Sequence, residues 1–271
     1  MQSFSLLEKW EALFMVDTGD NRVKLEADGP VAFISLARPE KLNALDKLMI
    51  LALERAAHIL DADTAIKVAI LTGQGEKAFC AGGDITAWSA EAAEDFGLQW
   101  VRIGHRAFDA LARLRMPLIA ALNGSVMGGG LELAACADFR IAEEHAKFSF
   151  PETGLGIIPG WSGTQRAVKR FGSQVIRRMS LAGESFSAEE ALRLGLCDRQ
   201  VAKGQSLTSA REMAATIAKR SALATTAAKL MINAAEGEDA PRAIEALGGI
   251  AAAHSAELKA GLAAFSAKKK N

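Results

Sequence analysis

Two glycine-rich stretches and two glutamates are the residues of this chain whose types and spacing suit chemistry. The first stretch, Phe79-Cys80-Ala81-Gly82-Gly83-Asp84, follows a short apolar run. The second, Asn123-Gly124-Ser125-Val126-Met127-Gly128-Gly129-Gly130-Leu131-Glu132, joins an apolar run to a helix-prone one. Glycine tolerates positive φ and close approach of the backbone, and amides in the first turn of a helix lack an internal partner, so both loops suit an anionic oxygen. Glu132 falls in the first turn of the helix that the second loop opens, where the helix dipole favours a carboxylate. Glu152 lies twenty residues further on, just after Phe148, Phe150 and Pro151, apolar neighbours that raise its pKa if it is buried. Two carboxylates in contrasting environments can divide the work of acid and base.

Other chemistries fit less well. Gly128-Gly129-Gly130-Leu131-Glu132-Leu133 lacks the third glycine of a dinucleotide fingerprint, and neither loop ends in the Gly-Lys-Ser/Thr of a P-loop. Gly160-Trp161-Ser162-Gly163 misses the spacing of a nucleophile elbow. His58, His105, His145 and His254 share no metal-like spacing and read as surface or packing residues; no metal site is expected. Cys80 has no histidine close in sequence to activate it and reads as a small buried hydrophobe. Tyrosine is absent, which removes any phenolic acid or tyrosyl nucleophile.

The elements that must position these residues follow from patterning. Val23 to Ala27, the turn-like Asp28-Gly29-Pro30 and Val31 to Ala37 predict a hairpin. Leu45, Leu48, Ala52, Ala56 and Ile59 predict one face of a helix. A second unit has a strand at Val68 to Leu71, a glycine-rich loop from Gly73 to Gly83 and a long helix over Ser89 to Arg115. A third has a strand at Leu118 to Leu122, a loop at Asn123 to Gly130, a helix beginning at Leu131 to Cys136, and strands at Phe139 to Ala142 and Lys147 to Phe150. This repeated order implies a layered α/β core. Beyond Gln200 the pattern turns helical: Leu207, Ala210, Met213, Ala214 and Ile217 mark an amphipathic helix, and an alanine-rich helical series continues to Lys270. The division expected is a core over 1–199 and a helical appendage over 200–271.

Composition sets the outer bounds. The 271 residues suffice for one large domain or one with an appendage at about 150 residues per domain. Thirty-two basic residues cancel thirty-two acidic ones, so no net field attracts nucleic acid or an anionic membrane, and a small-molecule partner is expected. Lys268-Lys269-Lys270 reads as a solvated tail. Cys80, Cys136 and Cys197 are too few and too scattered for a disulfide framework. Met1 to Val16 carries Glu8, Lys9 and Glu11 inside its apolar stretch, which suits a short helix rather than a signal peptide, and no apolar run reaches membrane-spanning length; a cytoplasmic protein is expected.

Four segments together carry a resemblance. Ala32 to Leu45 (AFISLARPEKLNAL), Ala69 to Ile85 (AILTGQGEKAFCAGGDI), Pro117 to Asp138 (PLIAALNGSVMGGGLELAACAD) and Ala146 to Arg166 (AKFSFPETGLGIIPGWSGTQR) resemble the enoyl-CoA hydratase/isomerase family, the crotonase superfamily, with a weaker match at Phe265 to Lys268. The resemblance implies an α/β spiral of strand-strand-helix units with a helical C-terminal region, and trimers or hexamers built through that region. It implies that Gly83 and Gly129 give backbone N–H groups to a thioester oxygen, and that Ala81 and Leu42 lie where the family's backbone holds the adenine end of CoA. Most like a hydratase, the chain matches both of the glutamates that hydratases carry: Glu132 to orient and deprotonate water, Glu152 to protonate the α-carbon. Isomerase relatives can use one shuttling carboxylate, and some relatives bind RNA. Coenzyme A enters only as part of the substrate, and no other cofactor is implied.

Two departures stand out. Thr86 occupies a position where hydratases often carry a lysine near the CoA phosphates, which turns attention to Lys41 or to Lys268 of a neighbouring subunit. Trp161 stands where hydratases commonly have a small residue, nine residues after Glu152, and reads either as a wall of the acyl pocket or as a packing tryptophan.

Overall fold

The computed structural model describes residues 16–89 and 92–268. The short helix expected over Met1 to Val16 lies outside these except for Val16, which bridges to Leu25. The strands are β1 (Val23–Asp28), β2 (Val31–Leu36), β3 (Val68–Gly73), β4 (Ala78–Cys80), β5 (Leu118–Leu122), β6 (Ser125–Met127), β7 (Phe139–Glu143), β8 (Lys147–Ser149), β9 (Ser185–Ser187) and β10 (Arg199–Val201). The helices are α1 (Lys47–Ala62), α2 (Ile85–Trp88), α3 (Ala93–Asp95), α4 (Arg102–Ala112), α5 (Gly129–Ala134), α6 (Arg166–Phe171), α7 (Ser173–Ala182), α8 (Ala188–Leu194), α9 (Ser206–Ala218), α10 (Ala222–Ala235), α11 (Ala240–Ala253) and α12 (Ala256–Lys268).

From β3 to β8 the strands come in pairs whose two members go to different sheets, while the hairpin β1–β2 stays within the larger sheet. β3, β5 and β7 enter a six-stranded sheet of order β1-β2-β3-β5-β7-β10, whereas β4, β6 and β8 enter a four-stranded sheet of order β4-β6-β8-β9. Only β1–β2 and β8–β9 pair antiparallel; every other neighbour is parallel. Each turn of the chain thus lays one strand in each sheet and then a helical stretch, which is the expected spiral of strand-strand-helix units.

The large sheet is buried on both faces, as parallel strands require. Ala69 and Leu71 of β3 and Leu118, Ala120 and Leu122 of β5 face the main core, while Val68, Ile70, Ile119 and Ala121 face a second cluster closed by Ala210 and Ala214 of α9. The helical region after Gln200 is therefore divided in role: α9 covers the sheet, and the 199/200 boundary passes through β10.

Three local expectations need correcting. α1 begins at Lys47, capped by the Asp46 side chain on Met49 N, and buries Met49, Ile50, Ala52, Leu53, Ala56, Ala57 and Leu60; the expected Ala52 and Ala56 are on the buried face, whereas Leu48 faces outward. The long helix over Ser89 to Arg115 is broken into α3, a π-helical segment Phe96–Val101 and α4. The loops Gly73 to Gly83 and Asn123 to Gly130 contain β4 and β6, three-residue strands too short to show any alternation.

Candidate active site

Those short strands position the site. Parallel pairing sets Cys80 beside Val126, and Val126 and Met127 beside Phe148 and Ser149. The chain segments leaving the C-terminal ends of β4, β6 and β8 therefore emerge side by side, carrying Gly82-Gly83, Gly128-Gly129 and, three residues past β8, Glu152. A crevice at the C-terminal ends of parallel strands is the general ligand position of α/β sheets.

Close packing of the loops explains their glycines. A β-carbon on Gly82, whose φ is +94°, would stand 3.0 Å from Gly129 N, and one on Gly128, whose φ is +54°, would stand 2.5 Å from Glu152 Oε1. Gly128 N donates to Ser149 O at 2.9 Å, tying the second loop to β8. The first loop is tied to the segment before α1: Ala81 N donates to Leu42 O, Leu45 N to Gly82 O and Asp84 N to Leu45 O at 2.7–3.0 Å. Arg38 adds an ion pair to Asp84 at 2.8 Å. After these ties, neither Gly83 N–H nor Gly129 N–H donates to any group among the described residues.

Glu132 and Glu152 line the same cavity of about 340 Å³ as Ala81, Gly83, Gly129 and Trp161. Glu132 is 2% exposed, and its Oε1 accepts from Trp161 N at 2.7 Å and Gly163 N at 2.6 Å. Glu152, 8% exposed, opens a 3-10 turn, Glu152–Leu155, and its Oε2 is buried without a partner. Burial pushes the Glu132 carboxyl up to about 8, helped by the charge of Glu152 and opposed by its two amide donors. Burial pushes Glu152 up to about 7. Near neutral pH such a pair retains a proton, which acid–base work requires.

The remaining wall is apolar. Trp161 packs its indole against Trp100 (ring centroids 5.3 Å apart) and Phe108 (5.2 Å), and it stands where β-carbons of Gly104 and Gly129 would lie, 2.0 and 2.6 Å from its ring atoms. Trp88 and Phe96 form a second tilted pair, with centroids 5.1 Å apart, and they line the cavity with Ile85, Val101, Leu155 and Ile158. Trp88, Phe96 and Trp100 were not expected at the site from sequence; their signal was two aromatics four residues apart, close after the first glycine loop. The π-helical segment presents Phe96, Gly97, Trp100 and Val101 to the cavity together. Gly160-Trp161-Ser162-Gly163 also has a role that its spacing did not disclose, since its amides hold Glu132.

Other expected positions lie elsewhere. Lys41 ends a 3-10 turn, Pro39–Lys41, outside the cavity wall, and Leu42 reaches the site only through its carbonyl on Ala81 N. Phe265 and Lys268 lie on α12; Phe265 is 61% exposed and does not line the cavity. The Thr86 hydroxyl donates to Asp84 Oδ1 at 2.6 Å, so this residue serves the cap of α2. The Cys80 thiol is buried, is pushed up to about 12 and donates to Asn43 O, which suits packing rather than nucleophilic chemistry. Among the described residues no cluster of His, Cys, Asp or Glu could hold a metal ion, and no helix is long and apolar enough to cross a membrane.

Paired N–H donors beside two buried carboxylates, on a spiral of strand pairs, define a protein able to stabilise a developing oxyanion while moving protons nearby. The chain belongs to the enoyl-CoA hydratase/isomerase family, whose model matches residues 26–271. It is 36% identical to a crotonyl-CoA hydratase of Syntrophomonas wolfei subsp. wolfei over 223 residues, 81% of this chain and 84% of that protein. It is 37% identical to a short-chain-enoyl-CoA hydratase of Clostridium acetobutylicum over 213 residues, 79% and 81% of the two chains. A solved enoyl-CoA hydratase from Bacillus anthracis superposes with a TM-score of 0.77 at 32% identity, covering 92% of this chain and 97% of that one.

Proposed function

We propose that this protein hydrates 2-enoyl-CoA thioesters, adding water syn across the double bond. The observation that carries the reading is the meeting, in one cavity, of two undonated glycine amides and two buried carboxylates. The thioester oxygen accepts from Gly83 and Gly129 N–H. Water gives a proton to Glu132 as its oxygen bonds the β-carbon; the π electrons pass through the α-carbon onto the thioester oxygen as an enolate. The enolate then collapses as Glu152 protonates the α-carbon. The step is redox-neutral and draws on no metal or redox cofactor. Preorganised donors act where charge develops, and losing one in comparable sites costs about 3 kcal/mol.

Hydrogen bonding separates the carboxylates. Burial raises Glu132 further than Glu152, to about 8 against about 7, so the assignment of base to Glu132 rests on hydrogen bonding: two amide donors on its Oε1 stabilise the ionised form, while the unpartnered Oε2 of Glu152 suits a retained proton. Among the described residues the two glutamates are the only ionisable side chains lining the cavity, so the acyl group it suits is apolar, with the Trp161 indole as its wall. Exposed Leu223, Met231, Ile232, Ile244, Leu262 and Phe265 on α10, α11 and α12 support a homotrimer or hexamer formed through these helices.

Crotonyl-CoA hydration, followed as loss of the conjugated thioester's absorbance, tests the reading. Turnover is expected. Failure on every 2-enoyl-CoA, with conversion of a 3-enoyl-CoA, would overturn it in favour of an isomerase.

A further inference from the structure

The turn that holds Glu132 contains a non-glycine residue in a conformation that L residues rarely adopt. Ser162 has φ +85° and is buried. Its two chain neighbours, Trp161 and Gly163, each donate a backbone N–H to the same oxygen, Glu132 Oε1. Alternate amides converge on one anion when a residue of right-handed φ is followed by one of left-handed φ, so the strained torsion is what aims both donors. Glycine would adopt it without strain. Serine costs more there, and what it adds is a hydroxyl 3.2 Å from His105 Nδ1 on α4.

That contact belongs to a series. Successive residues of the turn meet one face of α4: Trp161 lies over Gly104 and against Phe108, Ser162 meets His105, and Arg166 reaches Asp109 at 2.6 Å. His105 and Asp109 are one helical turn apart, so they lie on the same side of α4. The apolar contacts and the Ser162 carbonyl, which accepts from Gln165 N at 3.3 Å and Ala167 N at 3.1 Å, place the turn on its C-terminal side, and the hydroxyl–imidazole bond adds a side-chain hold on the residue between the two donors.

We propose that Ser162 and His105 form a positioning pair that locks the 161–163 turn so that both amides stay on Glu132, setting the readiness of this carboxyl to ionise. The link to catalysis rests on the hydratase reading above; the link to the Glu132 proton does not. The charged and titratable groups facing this region are Glu152 and Arg166 toward Glu132, and Asp109 and Arg166 toward His105. Burial holds His105 below the usual imidazole range, so near neutral pH the pair is a neutral hydrogen bond.

The test compares Ser162→Gly, His105→Phe and His105→Asn with the parent protein. Ser162→Gly removes the strain and the bond together; His105→Asn keeps a polar atom where Nδ1 stands. With crotonyl-CoA, Ser162→Gly and His105→Phe are expected to lower kcat by roughly ten- to a hundred-fold, the scale set by small misplacement of a reacting group, with KM within about two-fold. Their acidic limb of kcat/KM should move to higher pH, because a carboxylate with less secure donors ionises later, and His105→Asn should recover most of the loss. Melting temperature is measured in parallel, and Ser162→Gly should not fall below the parent. An infrared titration of the carboxyl band, assigned by its disappearance in Glu132→Gln, reads the same displacement without substrate, so it decides the proposal even if the parent hydrates nothing. Parent-like titration of Glu132 in both Ser162→Gly and His105→Phe would overturn the proposal, as would kcat losses in all three variants that simply follow their melting temperatures.

Discussion

Glu132 should be a thermodynamic burden in proportion to its chemical usefulness, and Glu132→Gln measures that burden. The carboxyl rises from an ordinary 4.5 to about 8, chiefly because burial disfavours its ionised form. Below pH 4.5 it is protonated in folded and unfolded chains alike, and its position costs nothing. Between 4.5 and 8 the unfolded chain releases the proton that the folded chain retains, so stability falls with every pH unit and the full cost is reached above 8. At about 1.4 kcal/mol per unit the ceiling is about 5 kcal/mol. A glutamine never ionises, but its amide N–H₂ is then buried and the amides of Trp161 and Gly163 lose a charged acceptor, which returns about 1–3 kcal/mol. Glu132→Gln should therefore be less stable than the parent by up to about 2 kcal/mol at pH 5 and more stable by about 2–4 kcal/mol at pH 9. Urea unfolding at pH 5, 7 and 9, with protomer concentration held constant, gives the difference directly. A pH-independent difference, or a variant whose relative stability declines as pH rises, would refute the reasoning.

The other expectations concern activity. Glu132→Gln and Glu152→Gln should each lower kcat by about a hundred-fold or more while leaving acyl-CoA binding by calorimetry largely unchanged, because size is kept and only proton transfer is lost. The parent's kcat/KM should follow a bell between limbs near about 7 and about 8, values that belong to the coupled pair; a flat profile across that range would remove the pair from the rate-limiting step. Gly129→Ala places a β-carbon 2.6 Å from the Trp161 ring, so urea unfolding should show a loss of about 1–3 kcal/mol and kcat should drop as the indole and the oxyanion amide are forced apart. Trp161→Ala should raise kcat/KM for long or bulky enoyl-CoAs relative to crotonyl-CoA, at a stability cost of about 3–5 kcal/mol; an unchanged chain-length profile in the folded variant would leave the residue as packing alone.

What could be read in advance was the glycine loops and glutamates that meet in the cavity, and the large sheet apart from β10. Glycine loops, the Glu132 and Glu152 pair and the apolar runs of β2, β3 and β5 declare themselves through residue type, and hairpin β1–β2 through the turn at Asp28-Gly29-Pro30. The rest of the four-stranded sheet was hidden: β8 matches the strand expected at Lys147 to Phe150, but β4, β6 and β9 have three residues each, and a strand of that length is specified by its neighbours' register rather than by its own pattern. Burial of Leu48 was misjudged because Leu45, which starts the apparent stripe, lies before the Asp46 cap and is not helical. The π-helical segment escaped notice for a different reason. Phe96-Gly97-Leu98-Gln99-Trp100-Val101 has an ordinary helical composition, and its widened turn depends on packing around the cavity.

Trp161 links specificity to catalysis in a way that neither the motifs nor the fold alone would suggest. Glycines 83, 104 and 129 come from three separate segments, and a side chain on any of them would stand within 3.3 Å of the indole. Two of the three carry the undonated amides. The missing β-carbons let the ring lie flush behind the loops and, on the hydratase reading proposed above, let a thioester oxygen approach the backbone from the other side. The ring is in turn part of the turn whose amides hold Glu132, since Trp161 N is one of the two donors. On the hydratase reading, acyl-pocket wall, oxyanion loops and base are therefore joined through a single residue. A substitution that reshapes the pocket at this position cannot leave the proton-transfer geometry untouched, whereas one at Gly97, where a β-carbon would meet no atom within 4 Å, can narrow the same cavity while sparing the carboxylates.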